Sequence, residues 1–213
     1  FGNDEYIGFT LYYTTNFIYT GLAVAIAFHC GLFNIGGEGQ AYIGGLGVGL
    51  VALAFGHWPP LLVILIAILA SMIFGAGWAL VPAYLQAKRG SHIVITTIMF
   101  NFLAAALMTY LLVEVLIESG QQAPNSREFH ENTWLPFMHE FLFLFGISVA
   151  KTSLNISFLI AILASFIIWI FVWHTKWGYE IRTTGANHKA AIYAGISPSK
   201  NIILAMLVSG ALA

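Results

Sequence analysis

The sequence predicts an all-α fold, a polytopic bundle of membrane-spanning helices, and three observations predict it. Of the 213 residues, 59% are hydrophobic and only 8% charged. Soluble domains run near a quarter charged, so ionic groups cannot cover a water-facing surface here. The apolar runs reach about 20 residues without period-two alternation, which selects helices over barrel strands. A helix also satisfies its backbone groups within its own segment, as lipid requires.

Taken in order, the apolar segments are Tyr6–Phe33, Ala41–Phe55, Leu61–Ala87, Ile93–Ile117, Leu154–Trp173 and Asn201 to the last residue, and residues 1–213 read as one membrane domain. Trp58-Pro59-Pro60 and the stretch Trp173 to Trp177 mark edges, as interfacial belts do. The acidic opening Asn3, Asp4, Glu5 is unlike a signal peptide, which would be basic. The chain does not begin with Met, and the residues after Lys200 fall short of a span of about 20 residues. The expectation is a piece of a longer protein, incomplete at both ends.

Charge sets the orientation. Lys88-Arg89 is a connection with no acid, and Thr175–Lys200 carries Lys176, Arg182, Lys189 and Lys200 against Glu180 alone. The connection within 118–153 carries Arg127 and Lys151 against Glu118, Glu128, Glu131 and Glu140. Basic connections belong in the cytoplasm and the acidic one outside. Alternation then places His57–Pro60 and residue 1 outside, and 31–40 on the cytoplasmic side. Within the external segment, Trp134-Leu-Pro-Phe-Met and Glu140-Phe-Leu-Phe-Leu-Phe suit a short element lying in the interface. The segment is either a landing surface for an external partner or a capping loop.

Gly31-Leu-Phe-Asn-Ile-Gly-Gly-Glu-Gly-Gln is the most unusual stretch at membrane level. Its glycines loosen a helix, and Asn34, Glu38 and Gln40 stand where an uninterrupted span would carry leucine. Broken helix at membrane depth is tolerated where it is buried in protein or lines a watery cavity. Two readings stand: a helix break beside a translocation path, and a cytoplasmic-side turn with Glu38 in water. The next helix contains Gly45-x-x-x-Gly49, a spacing that lets helices approach closely. Lys88-Arg89-Gly90-Ser-His opens a helix on which Thr97 and Asn101 share a face, either joining helices or lining a path.

No catalytic constellation emerges. The seven histidines are scattered and none pairs with Glu in a zinc-protease pattern, so no metal site is expected. Cys30 is the single cysteine, which excludes an internal disulfide. A net charge of -1 offers no basic surface to nucleic acid.

The longest polar interruption on the cytoplasmic side is EIRTTGANHKAAIYAGIS, from Glu180 to Ser197. Asn187 suits an N-cap, and Gly195 a left-handed stop with Pro198 beyond it. The helix between them has about two turns, too short to stand alone in water. Ala190, Ala191 and Ala194 keep it slim, as insertion in a partner's groove requires.

This stretch resembles the cytoplasmic coupling-helix signature of ABC-importer permeases. GLFNIGGEGQAYIGG and KRGSHIVITTIMFN are similar to two further motifs of the branch handling nucleosides and simple sugars, related to the branched-chain amino acid and ribose permeases. The three regions fall in the family's order and spacing, and the resemblance covers nearly the whole chain. It implies a bacterial inner-membrane permease subunit that is not itself an enzyme and binds no cofactor. It implies a second permease subunit, identical or not, a cytoplasmic ATPase subunit that uses the ATP, and an external solute-binding protein. It puts Arg182, Gly185, Asn187, Ala190, Ala191, Ala194 and Gly195 on the coupling motif. It puts Asn34, Glu38, Gln40, Thr96, Thr97 and Asn101 on the substrate pathway. The rival from the residues alone is an ion-coupled secondary transporter using Glu38 or Glu114 as an intramembrane carboxylate.

Overall fold

The structure is a computed structural model describing residues 4–118, 120–121, 123, 125–147 and 149–213. Asn3 of the acidic opening and parts of the 118–153 segment lie outside the described residues. The helices are α1 Asp4–His29, α2 Gly37–Phe55, α3 Pro60–Arg89 and α4 Ile93–Tyr110, which runs on through a π-helical turn, Leu111–Val115. After them come α5 Met138–Phe143, α6 Ser157–His174, α7 Lys176–Ala186, α8 His188–Tyr193 and α9 Pro198–Leu212. Among the described residues, five helices are long and apolar enough to cross a membrane: α1, α2, α3, α4 with its π turn, and α6. The chain is an all-α, multi-pass membrane protein.

Local chemistry sets the helix ends. Pro60 and Pro198 occupy first turns, where the missing N–H costs nothing. The first helix stops at His29, short of the expected edge at Phe33, because Gly31 adopts φ +73°. Gly31 N–H bonds Phe28 C=O at 2.9 Å and Leu32 N–H bonds Ala27 C=O at 2.9 Å, a complete Schellman end. Asn187 caps α8 by accepting from Lys189 and Ala190 N–H at 3.0 and 3.1 Å. Gly195, at φ +76°, closes it.

The spans sort their connections into two ends. At the basic end the close of α1 meets α7, the close of α3 meets α9 through Ser199 Oγ donating to Ala87 C=O at 3.1 Å, and the start of α2 meets α4. At the acidic end Gly8 packs against Thr152, and Asn132 Nδ2 donates to Trp58 C=O at 3.5 Å. The main apolar core lies toward the basic end, where Ile26, Cys30, Ile93, Val172, Ile181 and Met206 bury one another.

One packing expectation is corrected. The close approach of α2 to α3 is at Gly44 and Gly47. A β-carbon on Gly47 would stand 2.9 Å from Ala70 C=O and 3.0 Å from Phe74 Cγ, and one on Gly44 would stand 3.0 Å from Ser71 Oγ. Gly45 meets nothing within 4 Å, and Gly49 meets only the edge of Phe129. The spacing rule found the glycine-rich face but chose the wrong stripe, since α2 turns Gly45 outward.

Candidate functional site

Between α1 and α2 the chain crosses residues 30–36 without helix, leaving backbone groups that lipid cannot satisfy. Asn34, within the break, and Asn101, on α4, satisfy several of them, and Gln40 and Ser209 hold Asn34 in place. Asn34, 3% exposed, uses its whole amide. Its Oδ1 accepts from Gly36 N–H at 2.8 Å and from Gln40 Nε2 at 3.4 Å. Its Nδ2 donates to Gln40 Oε1 at 3.1 Å and to Ser209 Oγ at 2.9 Å. Ser209 passes the chain on, donating to Ala23 C=O at 2.7 Å. One buried amide pair thereby joins the break to α1, α2 and α9. Such a network stabilises only when every member is paired, as here.

Asn101 of α4 performs the second repair. Its Oδ1 accepts from Gly39 N–H at 2.9 Å, one of the orphan donors in the first turn of α2, and its Nδ2 donates to Ile35 C=O at 2.9 Å. This is helix capping supplied by a neighbouring span. Thr97, on the same face, is buried but spends its hydroxyl on its own helix, at Ile93 and Val94 C=O. What it offers across the interface is a methyl-bearing wall against Gly36. Thr96 bonds its own His92 C=O at 2.9 Å and is half-buried. Glu38 separates from the cluster. It lies exposed on the first turn of α2, where Tyr42 Oη donates to its carboxylate at 3.3 Å. Ser209 is the member of the cluster that sequence reasoning missed: it lies far along the chain in an apolar run, and only packing of α9 on α1 brings it in.

At the basic end α7 and α8 form one elbow. Thr175 Oγ1 caps α7 by accepting from Gly178 N–H at 3.1 Å. Arg182 bonds Val172 C=O through Nε at 3.1 Å and lays its guanidinium 4.4 Å from the Trp173 ring centre. His29 meets the same ring edge-on, with ring centres 5.8 Å apart. Asn201 of α9, 2% exposed, donates to Thr184 Oγ1 at 3.0 Å. Gly185 ends α7 against the turn after α1, leaving no room for a side chain beside Gly31 and His29. Of the three alanines, Ala190 and Ala194 face outward, while Ala191 is fully buried under α8. Outward with the first two stand Lys189, Ile192 and Tyr193, the last 96% exposed. The sequence reading passed over Ile192 and Tyr193. Their signal was available: two large apolar side chains on a two-turn helix whose buried position is filled by alanine.

The family described as branched-chain amino acid transport system / permease component matches residues 6–213. The chain belongs to this family. Over its whole length the chain is 35% identical to the guanosine ABC transporter permease protein NupP of Bacillus subtilis (strain 168), and 34% identical to the nucleoside ABC transporter permease protein NupB of Lactococcus lactis subsp. cremoris (strain MG1363). Over 92% of its length it is 32% identical to the glucose ABC transporter permease protein TsgB13 of Haloferax volcanii. It spans 59%, 58% and 51% of those three proteins, so the chain covers little more than half of each relative. No solved structure shows a significant match to it.

Proposed function

We propose that this chain is the membrane-spanning subunit of an ATP-driven ABC uptake system of a bacterial plasma membrane. Its solute is a nucleoside or simple sugar, delivered by an external binding protein. It pairs with a second permease subunit, and a separate cytoplasmic ATPase subunit hydrolyses the ATP. The observation that carries this reading is the elbow of α7 and α8. It exposes Lys189, Ile192 and Tyr193 at the basic end while its root, Gly185, touches the turn that opens the helix break. A push on the exposed face is therefore delivered to Gly31, and through it to the break at Asn34–Gln40. Family membership and the printed functions of NupP, NupB and TsgB13 support the solute class.

In this mechanism Asn187 and Gly195 shape α8, Ala190 and Ala194 let a groove close over it, and Ala191 and Arg182 hold it to the membrane domain. Asn34, Gln40, Thr97 and Asn101 fix the break that borders the pathway, with Glu38 and Thr96 on its more open side. Family membership and the named ABC relatives favour this reading over the carboxylate rival. The test is uptake into proteoliposomes holding the assembled transporter. Tyr193→Ala with Ile192→Ser is expected to lower ATP-driven uptake at least about tenfold, the loss of some 1.4 kcal/mol of docking, with membrane insertion intact. Unchanged uptake would sink the coupling role of α8. Uptake that survives ATP depletion and collapses with an ionophore would overturn the ATP-driven reading altogether.

A further inference from the structure

We propose that residues 140–147 form a membrane foot, with α5 and the turn after it inserting their apolar side chains into the outer leaflet at the headgroup–acyl boundary. The proposal uses the orientation that flanking charge gives the chain but not the transport reaction. Phe143, Leu144 and Phe145 are 70%, 80% and 68% exposed, and Ile147 extends the patch. Residues 141–147 carry no charge. Exposed apolar surface of this kind, contiguous and uncharged, marks a site that another phase or molecule covers.

The tip is built, not loose. Gly146, at φ +77°, ends α5 with a second Schellman pair: Gly146 N–H to Phe143 C=O at 3.0 Å and Ile147 N–H to Leu142 C=O at 3.2 Å. That closure holds Leu144 and Phe145 outward. Met138 anchors the opposite side, buried at 7% exposure beside Leu154.

Position selects lipid as the occupant. Met138 N–H bonds Leu154 C=O at 2.8 Å and Ile156 N–H bonds Pro136 C=O at 3.2 Å, so the root of α5 lies alongside the residues just before α6. With 18 residues, α6 rises about 27 Å, close to the thickness of a hydrocarbon core of about 30 Å. Its first residue, Ser157, must then sit at the boundary of that core, and the foot sits at the same level. A mostly apolar hollow of about 310 Å³, whose lining includes Ile7, Leu11, Leu142 and Phe158 with Asp4 and His139 also on its wall, joins the foot to the faces of α1 and α6. The patch is thus continuous with the faces of two helices long and apolar enough to cross a membrane. Trp134, exposed on the same segment, has the amphipathic ring typical of that depth.

The experiment places a nitroxide at Leu144→Cys, and separately at Phe145→Cys, in the full transporter reconstituted in phosphatidylcholine–phosphatidylglycerol liposomes. Glu131→Cys, exposed on the same external segment, is the aqueous control. Both foot labels are expected to collide with oxygen in preference to a water-soluble nickel chelate, at a depth of about 5–10 Å, while the control favours nickel. Labels at both foot positions as open to nickel as the control would overturn the proposal. Labels shielded from both reagents would also overturn it, because they would show a protein partner on the patch. Uptake measured on the same vesicles separates a failure of the foot from a failure of the transport reading.

Discussion

Gly31 and Gly185 lie backbone against backbone. A β-carbon on Gly31 would stand 3.2 Å from Gly185 Cα, and one on Gly185 would stand 2.7 Å from Gly31 N. The two residues belong to different polar stretches, one opening the helix break and one ending α7. Their contact makes the elbow and the break neighbours without any side chain between them, so displacing one is expected to move the other.

Gly185→Val is expected to force the elbow away from the break. Gly31→Ala adds left-handed backbone strain of about 1–2 kcal/mol to the same crowding. Both variants should insert, unfold at a lower temperature in detergent, and hydrolyse ATP in the assembled transporter with little uptake. Full uptake at unchanged ATP turnover in Gly185→Val would show that the contact transmits nothing.

Asn34→Leu keeps the branched shape of the side chain, is somewhat bulkier, and removes all four of its hydrogen bonds. Gly36 N–H and the Gln40 amide are left without the partners Asn34 supplied, at about 1–3 kcal/mol for each buried group stranded. The double variant Asn34→Leu, Gln40→Leu is expected to be less destabilised than the sum of the singles, with a coupling of about 0.5–3 kcal/mol. Thermal unfolding of the four proteins in detergent reads the cycle. Strict additivity would mean the amides do not act as a pair.

Much of this fold was legible because lipid imposes one rule on every span: sustained apolar length announces a helix. Asn187 and Gly195 were equally readable, since a cap is a local contract between a residue type and a backbone angle. The boundaries at Phe33 and Leu154 were not readable in that way. Apolar residues continue past the turn at Gly31, and they also precede the first turn of α6, so hydrophobicity alone could not see either end. Within the break, the residue types Asn34, Gln40 and Asn101 announced a polar cluster, but not their partners. Ser209 and Ile35 C=O join them only through packing of distant segments, and Glu38 leaves them only through the direction in which the first turn of α2 points it.

The glycines of α2 give a sharp contrast between two neighbouring positions. Gly47→Leu would drive a side chain into Ala70 C=O and the Phe74 ring, so the α2–α3 contact must open, at about 1–3 kcal/mol or more for overpacking. Gly45→Leu meets open space. The first is expected to lower the unfolding temperature of the subunit in detergent and the second to leave it unchanged or raise it, since leucine is the better helix former. Equal destabilisation by both would contradict the register of α2 against α3.

Arg182 tests whether the elbow needs a particular cation or only a positive charge. Its Nε bonds Val172 C=O at 3.1 Å while the flat guanidinium covers the Trp173 ring at 4.4 Å. A lysine ammonium is a point charge on a flexible stem and cannot hold both contacts in that geometry. Arg182→Lys is therefore expected to behave nearly as Arg182→Ala does, with stability down by about 1–2 kcal/mol from the stacked contact and the carbonyl bond together. Trp173→Ala should remove most of the difference between arginine and lysine at this position. Tryptophan fluorescence gives a second readout, since loss of the stacked cation alters the emission of Trp173 before the protein unfolds. If Arg182→Lys keeps wild-type stability and emission, charge alone suffices, and the elbow is held by Gly185, Thr184 and Asn201.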